Sequence, residues 1–131
     1  MIKGLYEAHL PVSNIEKSIT FYESLELELA FIRDNHAFFW IEKGKSWLGL
    51  WEVDQVKHPY HASIRHVAFQ IDYKDMKETK TWLKERNIEV VNFFNVAPED
   101  QPVLFNANSY NHAAIYFEDP DGNLLEFICP F

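Results

Sequence analysis

The chain of 131 residues has no surplus of positive charge, no second cysteine and no long apolar run. Twelve Lys and Arg stand against twenty Asp and Glu, a formal net charge of −8, which disfavours binding to nucleic acid phosphates or anionic lipid. The single cysteine, Cys129, cannot form an internal disulfide. The start MIKGLYEAHL has no apolar segment long enough for secretion or membrane spanning. These absences predict a cytoplasmic protein that binds neither nucleic acid nor membrane.

A linker rich in glycine, serine or proline is also missing, and the hydrophobic content of 47% is sufficient for a real core. We therefore predict a single domain over residues 1–131. Apolar residues alternate or cluster in short runs typical of strands. The predicted strands are residues 5–12, 28–33, 36–42, 46–52, 63–71, 88–94, 111–118 and 123–129.

Two segments instead repeat at helical spacing. In VSNIEKSITFYESL, Ser13 and Glu16 have the spacing of a capping box. In IDYKDMKETKTWLKERN, Asp72 is a candidate N-cap. The residues expected on the buried sides are Ile15, Ile19, Tyr22 and Leu25 in the first helix, and Met76, Thr79, Trp82 and Leu83 in the second.

The order strand, helix and three strands occurs twice, which indicates an internal repeat. Module 1 covers about residues 1–54 and module 2 about residues 61–131. The second module is the longer one, and its excess falls in residues 95–110, which we predict to be an inserted loop. Loops of that length are uncommon in compact domains and are often functional.

Aligning the two modules places chemically reactive residues at matched positions. EAHLPVSNIEKSITFY superposes on IRHVAFQIDYKDMKETK with His9 on His66, and SWLGLW on GNLLEF with Gly49 on Glu126. Since side chains alternate across a strand, both histidines and Glu126 project from faces opposite to those that suit a helix. Two neutral imidazoles and a carboxylate suffice to bind a divalent transition metal with positions left open. A lone strand histidine is more often structural, but the matched positions favour a shared role.

Other reactive side chains favour simpler interpretations. His58 and His61, in KHPYHAS, lie in a proline-containing crossover, which favours a solvated or interface role over metal binding. Cys129 faces away from Glu126 and is predicted to be a small buried hydrophobe.

Three segments resemble the vicinal oxygen chelate superfamily, which includes glyoxalase I, fosfomycin resistance thiol transferases, bleomycin resistance proteins and extradiol dioxygenases. They are HLPVSNIEKSITFYESL, RHVAFQI and YFEDPDGNLLEF. The resemblance implies an α+β fold in which two tandem βαβββ modules form a cup-shaped mixed sheet. It implies one divalent metal ion per site, iron, manganese, zinc or nickel, with His9, His66 and Glu126 as ligands. It also implies a small-molecule substrate and a homodimer, in which strands of both chains often complete one site.

Two departures from the superfamily narrow the activity. Glyoxalase I carries a fourth ligand, a glutamate, at the position aligned with Gly49, which argues against glyoxalase I itself. The fosfomycin resistance enzymes carry a hydroxyl or thiol residue where this chain has Pro11, and an arginine beyond the glutamate where this sequence ends at Phe131. Fosfomycin inactivation is therefore a minor alternative.

Aromatic residues are expected to line the substrate side. Trp47 and Trp51 share a face with Gly49, and the family alignment adds Trp40. Tyr116 and His112 share a face of the strand before Glu126 and are the candidate catalytic groups, because an imidazole can act as acid or base near neutral pH. Aromatic residues at alternate strand positions also suit a core or a dimer interface.

The main hypothesis is a metal-dependent enzyme acting on an oxygenated, largely apolar small molecule by dioxygenase, lyase, isomerase or thiol transferase chemistry. The alternative is a non-catalytic binding protein like the bleomycin resistance members. A purely structural scaffold is a third possibility, but it leaves three polar groups aimed into one cavity unexplained.

Overall fold

The computed structural model describes residues 1, 3–54, 56, 65–107 and 110–131. The chain divides into two units, residues 1–59 with 119–122, and residues 60–118 with 123–131. His58 and His61 lie outside the described residues, so their interpretation stays a prediction. Among the helices that the structure describes, none combines the length and apolar character that a bilayer crossing needs.

The first unit is a four-stranded mixed sheet with a helix on one face. Its elements are β1 (Glu7–Val12), α1 (Ile15–Ser24), β2 (Glu28–Arg33), β3 (His36–Glu42) and β4 (Ser46–Glu52). The strand order is β1-β4-β3-β2, with β1 parallel to β4 and the other pairs antiparallel. The residues buried on the α1 side are Leu10, Val12, Ala37, Phe39, Leu48 and Leu50. Burial of each large side chain among them contributes about 1.5–3 kcal/mol.

The start of α1 differs from the prediction by one residue. Asn14, not Ser13, is the N-cap, and its Oδ1 accepts a hydrogen bond from Lys17 N at 2.9 Å. Asn14 has the extended backbone of a cap residue, with φ −146° and ψ 108°. The prediction of Ser13 was wrong because the neighbouring asparagine is as good a cap as serine.

The second unit repeats this topology. Its elements are β5 (His66–Gln70), α2 (Tyr73–Met76), α3 (Thr79–Lys84), a 3₁₀ turn (Pro98–Asp100), β6 (Val103–Ala107), β7 (Tyr110–Glu118) and β8 (Leu124–Pro130). The order is β5-β8-β7-β6, with β5 parallel to β8. The predicted βαβββ repeat is therefore confirmed, since β5, β8, β7 and β6 correspond to β1, β4, β3 and β2.

The second predicted helix is interrupted between α2 and α3. The carbonyl of Asp75 accepts bonds from Glu78 N (3.1 Å) and from the Thr79 hydroxyl (3.0 Å). This side-chain bond competes with the helical ladder. Asp72 is the N-cap of α2, as predicted, but its side chain makes no capping hydrogen bond.

Two predictions between α3 and β7 were wrong. Residues 88–94 do not form a strand, because only an isolated bridge joins Val90 to Phe117 and the left-handed φ of Phe94 (43°) turns the chain. Residues 95–110 are not one long loop, since they contain the 3₁₀ turn and β6. Strand β6 pairs antiparallel with β7 and supplies the strand that the repeat requires.

A tight turn over residues 119–122 precedes β8. Gly122 has φ +73°, and its N–H donates to the carbonyl of Asp119 at 3.0 Å. The Asp119 side chain accepts a bond from Asp121 N at 2.9 Å and another from the Tyr22 hydroxyl at 2.8 Å. A buried carboxylate is thus paired within the turn and to α1.

Candidate metal centre and aromatic face

Two of the three expected metal ligands are in contact within the second unit. His66 lies on β5 and Glu126 on the neighbouring β8, and alternation puts both on the sheet face away from α2 and α3. His66 Nε2 lies 2.9 Å from Glu126 Oε2. The histidine side chain is 24% exposed and the glutamate side chain 6%. Solvent therefore reaches the pair mainly at the histidine.

Tyr116 completes this group from the third strand. It pairs with Glu126 across β7 and β8, and its phenol donates a hydrogen bond to that carboxylate. Burial raises the pKa of Tyr116 above its ordinary value, and the negative charge and hydrogen-bond acceptance of Glu126 raise this pKa further. The Phe93 ring stacks on the Tyr116 ring, with centroids 3.6 Å apart and an angle of 4° between the ring planes. Tyr116 is therefore a neutral phenol at neutral pH, fixed in place.

His112 lies further along the same strand. It shares the face of Tyr116, as predicted, but four residues along a strand correspond to about 13 Å. Its ring stacks on that of Phe105, with centroids 4.6 Å apart and an angle of 18° between the ring planes. The structure thus brings Tyr116, and not His112, to the His66 and Glu126 pair.

His9 stands in a different group, within the first unit. Its Nε2 lies 2.6 Å from Oε1 of Glu7, the residue two before it on the same strand face. The indole N–H of Trp51 donates to His9 Nδ1, and that of Trp47 donates to Oε2 of Glu7 at 2.6 Å. The bonds from His9 and Trp47 lower the pKa of Glu7 below its usual value. Glu7 was not predicted as a site residue, although its spacing of two from His9 was the available signal.

These groups belong to a surface of rings on the sheet side opposite α1, which we call the aromatic face. Its members are Phe31, His36, Phe38, Trp40, Trp47 and Trp51. The ring centroids of Trp40 and Trp47 lie 4.9 Å apart, and Phe31 stacks on Phe38 with ring centroids 4.5 Å apart. The three predicted substrate-binding tryptophans are therefore on one face, and Trp51 is 46% exposed.

Backbone pairing corrects the predicted equivalence of Gly49 and Glu126. Gly49 is itself the strand partner of His9, whereas Glu126 lies two residues beyond the partner of His66. With the two histidines equivalent, the counterpart of Glu126 is the residue two beyond Gly49, which is Trp51. The predicted equivalence was wrong because similar letters in SWLGLW and GNLLEF do not fix strand register.

Gly49 has a steric role instead. A Cβ at this position would lie 2.5 Å from His9 Nδ1 and 2.7 Å from its Cε1. The imidazole of His9 thus lies directly over the glycine, and the small residue makes room for the ring rather than leaving a ligand position empty.

The polar atoms of His66 and Glu126 are of the kinds that a divalent metal binds. Imidazole nitrogen and carboxylate oxygen are suitable ligands, and the contact between His66 Nε2 and Glu126 Oε2 places one of each together. Within the described ranges, no group of three or more His, Cys, Asp or Glu side chains could hold a metal ion. The second unit therefore fits two ligands of a metal site.

Comparison with known proteins gives a family match over nearly the whole chain. Residues 4–127 match the model of the Glyoxalase/Bleomycin resistance protein/Dioxygenase superfamily. The chain is 31% identical to "Metallothiol transferase FosB" of Staphylococcus haemolyticus over 128 residues, 96% of this chain and 83% of that protein. It is 26% identical to "Glutathione transferase FosA" of Serratia marcescens, covering 96% and 80%.

A solved structure supports the fold. The integron cassette protein HFX_CASS4, from the mobile metagenome of a sewage outfall in Halifax Harbour, superposes with a TM-score of 0.76 at 27% identity. The match covers 98% of this chain and 99% of that one.

Proposed function

Because the chain belongs to the glyoxalase/bleomycin resistance protein/dioxygenase superfamily, we propose that it is a divalent-metal-dependent enzyme that transfers a thiol to a small oxygenated substrate. Its likeness to proteins named as transferases supports this class of reaction among those that the sequence left open. The observation that carries the proposal is the contact between His66 Nε2 and Glu126 Oε2, which Tyr116 holds in place.

The proposed ligands are His66, Glu126 and His9. The first two are already in contact, and the third is expected from its matched position in the repeat. When bound, a divalent ion in such a site supplies Lewis-acid stabilisation of negative charge on a substrate oxygen. In thiol addition to an epoxide-like carbon, the thiol loses its S–H proton, a C–S bond forms, a C–O bond breaks, and the released oxygen takes up a proton in place of the one that the thiol lost.

Tyr116 acts on this chemistry through Glu126. Its O–H donates to the carboxylate that contacts His66 and so helps to orient it. Since burial raises the pKa of the phenol, Tyr116 remains a hydrogen-bond donor at neutral pH. A catalytic role for His112 stays a prediction, and it requires a substrate that extends about 13 Å along β7.

The aromatic face supports an oxygenated substrate with a large apolar part. Trp40, Trp47 and Trp51 offer ring surfaces rather than cations, so they suit stacking on an apolar group better than recognition of a phosphonate. We propose that these three residues bind the apolar part of the substrate. We also propose that the enzyme is a homodimer that acts on small molecules.

Metal analysis and activity of matched variants test the proposal. Protein purified without chelators is expected to contain a divalent metal and to join glutathione or cysteine to epoxides. Glu126→Gln is expected to lose the metal and the activity with its fold retained, whereas Glu118→Gln, exposed on the neighbouring strand, is expected to keep both.

Undiminished metal content in the Glu126→Gln protein would sink the ligand assignment. Metal-dependent turnover of catechols in place of thiol transfer would overturn the proposed reaction and leave the ligands intact. Screening both substrate classes with one metal-loaded preparation separates these outcomes.

A further inference from the structure

We infer that Trp51 controls whether His9 can bind a metal, by holding the His9 imidazole as the tautomer that carries its hydrogen on Nε2. This inference rests on the proposed function for the role of His9 as a ligand. The hydrogen bonds of His9 within the first unit carry it.

The direction of these bonds follows from the chemistry of the indole. A tryptophan Nε1 is a donor only, so the bond between Trp51 and His9 requires Nδ1 of the imidazole to accept. An imidazolium carries hydrogens on both nitrogens and could not accept this bond. The bond from Trp51 therefore places the imidazole hydrogen on Nε2, where it is donated to Glu7 Oε1 at 2.6 Å.

Three neighbours fix this arrangement. The Trp51 and His9 rings meet edge to face, with centroids 5.4 Å apart at 80°. Glu7 is held on its other oxygen by Trp47 at 2.6 Å. The absence of a side chain at Gly49 leaves room for the imidazole at this position.

This tautomer is unsuitable for metal binding. A histidine ligand must present a lone pair on a ring nitrogen, but the Nδ1 lone pair accepts from Trp51 and Nε2 carries the hydrogen. Moving that hydrogen to Nδ1 would set two N–H groups against each other. His9 can thus join the ligand set through Nε2 only after the half-exposed indole of Trp51 has turned away.

The second module provides an internal contrast. At the position equivalent to Trp51 it has Glu126, an acceptor, which faces His66 Nε2 at 2.9 Å. In the part of the chain that the structure describes, no hydrogen bond engages His66 Nδ1. His66 is therefore able to shift its hydrogen to Nδ1 and release Nε2, whereas His9 is not. Because Trp51 is a donor and Glu126 an acceptor, the hydrogen of His9 is held on Nε2, whereas that of His66 can move to Nδ1.

The test is Trp51→Phe, which keeps a ring and removes the N–H. In metal-free protein, ¹⁵N spectra of the histidine side chains are expected to show His9 as the Nε2–H tautomer in the wild type and a mixture of tautomers in the variant. Zinc titration is expected to give about three- to tenfold tighter binding in the variant, the effect of releasing one hydrogen bond. Trp82→Phe, which lies beside Phe127 on the helix side of the second unit, is the matched control and is expected to change neither.

A double variant and two single histidine variants separate a failure of this inference from a failure of the proposed function. In a His9→Ala background, Trp51→Phe is expected to leave zinc affinity unchanged, because the gain acts through His9. A wild-type His9 with its hydrogen on Nδ1, or no gain in affinity in Trp51→Phe although His9→Ala weakens zinc binding, would overturn the inference while the proposed ligands stand. If His9→Ala and His66→Ala both bind zinc as tightly as wild type, the proposed function itself fails.

Discussion

Single residues decide how each histidine of the repeat behaves. His9 and His66 occupy equivalent strand positions, yet the first faces an indole N–H and the second a carboxylate. Tyr116 adds a hydrogen-bond donor beside that buried carboxylate. The chemistry of each module thus follows from which neighbour donates and which accepts.

Tyr116→Phe tests the support of Glu126. The variant loses one hydrogen bond to a buried carboxylate, and we expect the free energy of unfolding to fall by about 1–3 kcal/mol. Urea unfolding at pH 7 measures this change. Tyr73→Phe, at an exposed tyrosine, is the control and is expected to match wild type.

The free energy of unfolding is expected to fall more with rising pH in the wild type than in Tyr116→Phe. The pKa of Tyr116 is raised in the folded protein, so the folded state holds this proton more tightly than the unfolded state. The stability that Tyr116 contributes is complete below the unfolded pKa of about 10 and is lost as pH rises above it. Between pH 8 and 11, wild type is expected to lose stability more steeply than Tyr116→Phe. Parallel curves would contradict the buried position of the phenol.

Gly49→Ala tests the close approach of the His9 ring. The added Cβ would lie 2.5 Å from Nδ1, so the imidazole must move and leave Trp51. We expect a loss of about 1–3 kcal/mol in the free energy of unfolding. The loss is expected to shrink in a His9→Ala background, where the clash is absent, and this double-mutant cycle isolates the pair. Gly4→Ala, which has open space around its Cβ position, is the control.

At the scale of elements, strand position was more predictable than strand pairing. β2, β3 and β4 begin and end at the predicted residues, because apolar alternation marks a half-buried strand directly. β6 was missed because its short VLFNA run stands between Pro102 and polar residues. Alternation also placed His66 and Glu126 on one face. It could not give their 2.9 Å contact or the Trp51 bond, because these depend on register, which similar letters in two modules do not determine.

Asn14→Ala tests the corrected start of α1. The variant loses the side-chain acceptor for Lys17 N, and we expect a cost of about 1 kcal/mol in the free energy of unfolding. Ser13→Ala, one residue earlier, is expected to cost little because Ser13 does not cap the helix. Equal losses in the two variants, measured by thermal or urea unfolding, would contradict this assignment of the cap.

At the scale of the whole molecule, one topology occurs twice and carries two different sets of polar groups. The first unit has His9 with Glu7 and the aromatic face, and the second has His66 with Glu126 and Tyr116. Neither unit alone supplies the proposed set of two histidines and one glutamate. The ligand set that we propose therefore draws residues from both modules, of one chain or of two.

Mixing inactive subunits distinguishes these two arrangements. If each site takes His9 from one chain and His66 with Glu126 from its partner, a mixed dimer of His9→Ala and His66→Ala chains has one intact site. Random pairing then restores about a quarter of the wild-type metal content, since about half of the dimers are mixed and each has one working site of two. Coexpression and metal analysis of the purified mixture measure this fraction. Mixing His66→Ala with Glu126→Gln is the matched control and restores nothing, because both defects fall on the same side of the site. If the ligands all come from one chain, neither mixture regains metal.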